Sequence, residues 1–495
     1  MALTPISLGV RSNPGRTGAI SAARVINCYA EDAGEEGKIR FPIVACDGFE
    51  AWSTTFGAIA GSGTIRGGFV LSDSAMYVAS GTKIVKLNTS GAPTDITGSI
   101  TASGLITMAR NRKEPNAQIG VASSAGNAFY TLENDVLTDR TATITGLGSD
   151  GTLTSITALD GYLVLYFTNG EFFITSIDEG ATIDSLEFAK SESNPDGGVK
   201  CLTRGRDLVL CGSASTEFWQ NTGAADFPFQ RVTSADYGCY AAGSMVNVTL
   251  AKPGGEVADT ICMAATDSKG AYIGVVMLNG YSAVKISDAA VDRSIRDETD
   301  KTTIRGFART EGGRTFYTIR GSTFTWSFDF STGFWHERTS DGLAFWRVWD
   351  AFTFNGMSIV ADYTLAKLYK SLPTLYNAAT ASTVTLKHSN NNGNSWLVTR
   401  TAKTLSGSSN LTQRVKFNRL GQSKEDGKVF NIAISNAVME DGTGNAMTVQ
   451  PPSVHAWPNR MRFFRIHIDT IPGGSQTSTP KGITGLAVDV KQLRS

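Results

Sequence analysis

The stretch VKCLTRGRDLVLCGSASTEFWQNTG, residues 199–223, alternates apolar and polar side chains, breaks at the polar turn RGRD, resumes its alternation and closes on Trp219. Two-residue alternation marks a half-buried strand, so the stretch reads as a hairpin. The same build recurs in SAMYVASGTKIVKLN from 74, QIGVASSAGNAFYTLEN from 118 and SITALDGYLVLYFTNGEFFITSID from 155. It continues in the segments that start at 260, 305 and 349. Successive units begin roughly 35 to 60 residues apart, within or near the spacing of propeller blades. Loop tips such as SGT, DG, NG and STG supply glycines for the positive φ of tight hairpins.

One hairpin cannot bury both of its faces. Repeated small sheets must stack around an axis or pair as a sandwich, and six or seven units favour a closed ring. The sequence therefore predicts an all-β chain, with a β-propeller of about six blades over residues 55–374. Beyond LPTLYNAAT the blade spacing ends, and TVTLKHS, SWLVTRTAK, RVKFNRLG, VFNIAIS, FFRIHIDTI and ITGLAVDV predict a C-terminal β-sandwich over 375–495. Residues 1–54 show little periodicity before the apolar FPIVACDGF at 41–49 and read as an arm against another domain or subunit. Deleting such an arm should leave the propeller folded. The arm and the sandwich are the expected partner-facing edge, since both lie outside the blade repeats.

Lys plus Arg and Asp plus Glu both total 45, so no global field draws the chain onto nucleic acid or acidic lipid. A hydrophobic content of 41% with 52 Gly suits a folded, turn-rich protein. The N-terminus has no apolar run behind a basic one, and no stretch of membrane-spanning length occurs, which predicts a soluble chain made in a cytosol. Six cysteines form no CxxC pair and are expected to be buried thiols; Cys201 and Cys211 fall nearly opposite each other if RGRD makes the turn.

No GxSxG, HExxH or Walker-type GxxxxGK motif occurs, and only four histidines are present, at 336, 388, 455 and 467. We expect no catalytic residue, no metal and no cofactor. The carboxylate pairs Glu35/Glu36, Asp178/Glu179, Glu425/Asp426 and Glu440/Asp441 could be glycosidase acids, but strand neighbours point to opposite faces and loop charge is the simpler reading. HSNNNGNSW at 388–396 resembles the Asp-box hairpin of sialidase-like propellers, with Asn391 in place of Asp, and is read as a structural turn. Trp326, Trp335, Trp346 and Trp349 could form a stacking platform for sugars, but alternation in TFTWSFDF places them in a core. Two short basic runs, RNRK (Arg110, Arg112, Lys113) and PNRMRFFR (Arg460, Arg462, Arg465), are the candidates for partner or phosphate contact.

The opening motif, extended to SESNPDGGVKCLTRGRDLVLCGSASTEFWQNTG, resembles the packaged-DNA stabilisation proteins that form the tail hub or nozzle of short-tailed bacteriophages. Ser193, Pro195, Asp196, Gly197, Arg206, Gly212, Ser213, Thr216, Glu217, Phe218, Trp219 and Gly223 carry the resemblance. VINCYAED at 25–32 and RVKFNRLGQSKEDGKVFNIAIS at 414–435 support it. The resemblance implies a virion tail protein assembled in the host cytoplasm as a homo-hexamer beneath the portal and head-tail adaptor, contacting a tail needle, fibre or spike. It also implies that genomic DNA passes without sequence-specific binding. The alternative is a glycan-binding or glycan-cleaving propeller that recognises a receptor.

Overall fold

The computed structural model describes residues 3–492, apart from 6–7, 18–19, 36, 38, 55, 149–150, 252–256, 341, 373–382, 406–412, 424–426, 435–446, 451–460 and 472–481. Strands dominate, and they fall into successive antiparallel sheets in chain order. Blades 1 to 4 are four-stranded and span 65–95, 106–139, 153–190 and 198–235. Blade 5 (237–285) has an innermost edge split between Tyr237–Cys239 and Val246–Ala251, both paired with Val257–Asp267. Blade 6 covers 305–337, and blade 7 covers 348–372. Among the described residues the ring thus has seven blades, one more than the about six that the sequence predicts, because 348–372 gains a fourth strand from Gly48–Ala51 and forms a full blade.

Alternation explains why the blades close on one another. In Ala75–Ser80 every residue is buried: Ala75, Tyr77 and Ala79 face blade 2, whereas Met76 and Val78 face blade 7. Blade 3 repeats the division, with Leu163, Leu165 and Phe167 toward blade 2 and Val164 and Tyr166 toward blade 4. Such a strand has no solvent face, because period-2 side chains serve two neighbouring cores at once. Separate apolar cores fill the interfaces between consecutive blades all round the ring. Each fully buried Leu, Val, Ile or Phe stabilises by about 1.5–3 kcal/mol. Trp326, Trp335 and Trp346 lie in these cores, whereas Trp349, expected with them, is half-buried and lines a cavity on the propeller axis.

The register of the opening hairpin separates two cysteines that the sequence places opposite each other. Gly205–Arg206 form the turn, so Cys201 pairs with Leu210 and Cys211 with Lys200. This offset sends Cys201 into the core between blades 3 and 4 and Cys211 into the core between blades 4 and 5. All six cysteines are free thiols.

Residues 1–54 are not a separable arm. Blade 7 takes its fourth strand, Gly48–Ala51, from this segment, through antiparallel pairing with Leu368–Leu372. The sandwich is built from both ends of the chain. One of its sheets orders Cys28–Ala30, Ile43–Ala45, Gly482–Gln492, Met461–Ile471 and Gln413–Asn418, with Leu3–Pro5 added on Gly482–Gln492. The other orders Arg24–Ile26, Met447–Gln450, Val429–Ile434, Thr383–Ser389 and Arg400–Thr404. Val25, Cys28, Ala30 and Ile43 pack with Val384, Phe417, Phe430, Ile466 and Leu486 between them. The second sheet runs on into blade 6, where Ile26 pairs in parallel with Glu337 and Arg24 forms a bidentate ion pair with the same carboxylate. Among the described residues no helix is long and apolar enough to cross a membrane.

These contacts reverse the expectation for an arm deletion. Removing residues 1–51 should abolish cooperative unfolding of the propeller in urea. Phe49 is fully buried, 5.4 Å from the Trp346 ring. Phe49→Ala should therefore cost about 3–5 kcal/mol in the same assay. A shortened chain that unfolds with the full-length midpoint and slope would refute ring closure by this strand.

Candidate functional site

The conspicuous motif at 193–223 builds a clamp at the entry to blade 4. Asp196 Oδ2 accepts the backbone N–H groups of Ala214 and Ser215 at 2.6 and 2.9 Å, and its Oδ1 accepts the Ser215 hydroxyl at 2.8 Å. A Cβ on Gly212 would stand 2.2 Å from Asp196 Oδ2, so only glycine lets the carboxylate reach the turn. The Gly197 carbonyl accepts the Ser213 N–H at 3.0 Å. Glu217, fully buried, accepts from the Ser193 N–H, the Trp219 indole and Arg231 at 2.7, 2.8 and 3.1 Å. Gly223 turns the chain at φ +70° over the Asn221 side chain, and Arg206 is exposed at the hairpin tip. All four carboxylate oxygens of Asp196 and Glu217 are thus engaged within the blade. The clamp holds a fold.

In the first basic run Arg110 and Lys113 are paired within the chain, and the exposed Arg112 guanidinium stands 3.9 Å from Asp178. Arg110 pairs with Glu114 at 2.5 Å. The Arg112 N–H donates to Asp178 at 3.1 Å, and Lys113 meets Glu133 and Glu179 at 3.0 and 3.1 Å. Because Asp178 and Glu179 belong to blade 3, the run ties two blades together. In the second run Arg465 donates to Asn418 at 2.8 Å, and Arg462 stands in register with Gln422 and Lys491. Arg460, His455, Glu36 of the pair Glu35/Glu36, and the pairs Glu425/Asp426 and Glu440/Asp441 lie outside the described residues.

The remaining candidates have structural surroundings. His467 is buried, with Nε2 3.1 Å from Asp489. His388 is pushed down to about 4 by burial and by the nearby Lys428 and Arg400. The Asn391 turn closes on itself: Asn391 Oδ1 accepts from the Ser389 hydroxyl and the Ser395 N–H at 2.8 and 3.0 Å. It lies in the sandwich, and Trp396 is only half-buried there.

Chemistry-bearing groups that sequence reasoning missed converge on the propeller axis. The innermost strands of successive blades touch all round the ring. Their close approach depends on small residues; a Cβ on Gly67 would lie 2.5 Å from the Ile106 carbonyl oxygen. They enclose a cavity of about 510 Å³ lined by Thr107, Thr157, Lys200, Thr203, Arg305 and Asp350 among others. A wider cavity of about 770 Å³ opens above it, at the N-terminal ends of these strands, and Leu105, Gly243 and Arg305 line both. Burial lowers the Lys200 ammonium to about 8 and Arg305 to about 10, and raises Asp350 to about 6 against the pull of both cations. The legible signal was a lone charge in an apolar alternating strand, as in VKCL and VWDAF.

A family model described as "Bacteriophage P22 Gp10, beta-propeller" matches residues 46–374. No curated protein matches the chain. Among solved structures it is similar to the WD40 β-propeller domain of Doa1, at 10% identity and TM-score 0.37, covering 66% of this chain and 96% of that one. The computationally designed Ika8 protein gives 10% identity and TM-score 0.38, over 71% and 99% of the two chains. BamB from Moraxella catarrhalis gives 10% identity and TM-score 0.35, over 63% and 95%.

Two outcomes follow from this geometry. Asp196→Ala strips three hydrogen bonds from the blade 4 turn and should cost about 2–4 kcal/mol in denaturant unfolding; an unchanged midpoint would mean that the clamp contributes nothing. Asp350, whose folded pKa is raised, favours the fold while protonated and loses that contribution as pH rises from about 4 through about 6. Asp350→Asn should therefore match the parent below pH 4 and exceed it by about 1–3 kcal/mol above pH 6. The opposite trend with pH would show that Asp350 is held as a favourable anion.

Proposed function

Because the chain belongs to the family of the bacteriophage P22 Gp10 β-propeller, we propose that it is the structural hub, or nozzle, of a short phage tail. On this reading it assembles as a homo-hexameric ring beneath the portal and adaptor, prolongs the DNA channel, helps retain the packaged genome and becomes the exit conduit at infection. It is a virion component without catalytic chemistry, and needle, fibre or spike proteins attach to it. The observation that carries the reading is the family match across the propeller.

Physical features are consistent with this role. The axial cavity of about 510 Å³ has the volume of a small-ligand pocket, so one propeller cannot pass a duplex and any conduit must lie between subunits. A closed ring of subunits requires a heterologous interface that closes by rotation. A conduit also has to let DNA slide. Zero formal net charge and the internal pairing of Arg110 and Lys113 limit the phosphate contacts that would hold it. The glycan alternative loses support, since three of its four tryptophans, Trp326, Trp335 and Trp346, are buried, leaving only Trp349 at a cavity, and the Asn391 turn is satisfied by its own neighbours.

The test is DNA retention in particles assembled without the chain. Such particles should leak DNA, and purified protein added back should seal them. Particles that keep their DNA but fail to attach to cells would overturn the hub reading in favour of receptor recognition.

A further inference from the structure

The mouth of the propeller axis carries a concentration of positive charge that a structural hub does not use. Arg66, Lys301 and Arg305 line the cavity of about 770 Å³, and no carboxylate joins them among the described residues. Ser103, Thr152, Thr154 and Thr302 line the same wall, although the Thr154 hydroxyl already donates to the Tyr166 carbonyl at 2.8 Å and the Thr302 hydroxyl to Asp300 at 2.7 Å. Cations gathered without counter-charge in a concave, partly desolvated space repel one another, and an anion entering that space relieves the repulsion.

The donors are not all consumed by the fold. Arg66 is: its guanidinium is anchored on the carbonyls of Gly81, Thr101, Ser103 and Gly104, so it contributes charge alone. Arg305 differs. Its one hydrogen bond among the described residues is a long one, 3.4 Å to the Arg66 carbonyl, and the guanidinium is steadied by the Trp349 ring at 4.8 Å. Trp349 is gripped on its other account by Arg320 at 5.0 Å, which fixes the platform. Lys301 lies over the Tyr240 ring at 3.9 Å, leaving its three ammonium donors without a protein acceptor among the described residues. Deeper on the axis Lys200 spends one donor on the Met245 carbonyl at 2.8 Å, and Asp350 supplies the only carboxylate lining the lower cavity among the described residues.

We propose that the mouth and neck of the axial cavity form a binding site for a small phosphate-bearing anion. Arg305 grips it at the neck, Lys301 closes over it from the rim and the hydroxyls of Ser103 and Thr152 bond its remaining oxygens. Phosphate suits the site because it presents several acceptor oxygens and more than one negative charge, matching a planar guanidinium and a mobile ammonium. The volume admits either free phosphate or a nucleotide.

The site is tested by titration calorimetry on the full chain at low ionic strength, with inorganic phosphate in one arm and a nucleoside triphosphate in the other. Saturable one-site binding is expected with at least one probe, and the arm that binds more tightly identifies the source of the phosphate. Arg305→Met and Lys301→Met should each weaken it at least tenfold, and Asp350→Asn should tighten it severalfold by removing a like charge below the neck. Lys301 is exposed, so its variant keeps the test valid if Arg305→Met fails to fold. Lys269→Met, in an exposed turn of blade 5, is the control for net charge. No saturable binding in either arm, or an equal loss in Lys269→Met, would overturn the proposal. DNA retention by the particles is a separate readout, so failure here leaves the hub reading standing.

Discussion

Everything in this molecule depends on one strand pairing. Gly48–Ala51 lies along Leu368–Leu372, so the last blade is completed by residues that precede the first. Without it blade 7 would keep an open edge and Phe49 would leave the core it shares with Phe307, Trp346 and Tyr369. A ring of blades has no terminal repeat to cap, because every face is covered by a neighbour, and that holds only while the ring stays shut. The strands just before Gly48–Ala51, namely Arg24–Ile26, Cys28–Ala30 and Ile43–Ala45, belong to the sandwich, so ring closure and sandwich assembly share one short length of chain.

Beneath that junction lies a buried network of charges. Glu311 accepts from Arg309, from Arg338 at 3.4 Å and from the Asp47 N–H just ahead of the closing strand. Asp47 in turn accepts the Ser371 hydroxyl at 2.8 Å. Both arginines face the Trp346 ring, at 5.2 and 4.2 Å, and burial pulls Arg309 down to about 9. An apolar replacement of such a network is often no less stable, so stability is weak justification for it. What it supplies is geometric: a slip of the closing strand by one residue would leave Glu311 without its Asp47 partner and a buried charge short of a bond.

Alternation made the blades legible because each strand serves two cores, as Ala75–Ser80 shows, and the pattern persists in every blade. The N-terminal strands were not legible for the same reason. Arg24–Ile26 and Cys28–Ala30 are three residues long, too short to display a period; the first pairs with Met447–Gln450 near the far end of the chain, and the second reaches Gly482–Gln492 only through Ile43–Ala45. The separation of Cys201 and Cys211 hung on a one-residue difference in register, which a sequence cannot fix when the turn admits two lengths. The basic run at 110–113 looked available because its partners Asp178 and Glu179 stand more than sixty residues away. The motif at 193–223 was legible as a unit, and the structure gives its physical content: a carboxylate clamp for which glycine makes room.

The closing pairing also sets an order of events on the ribosome. Asp47 and Ser371, bonded in the finished ring, are 324 residues apart, and bringing two such points together costs about 5 kcal/mol in loop entropy if the chain between them is unstructured. Prior folding of blades 1 to 6 shortens that effective separation, since each blade is made of contacts local in sequence. The N-terminal segment must therefore wait, unpaired and carrying Phe49, until nearly three quarters of the chain has emerged and built the edge that receives it. A protein whose first strands find their place last is vulnerable for most of its synthesis, and its yield in the cell should depend on what shelters that segment in the interval.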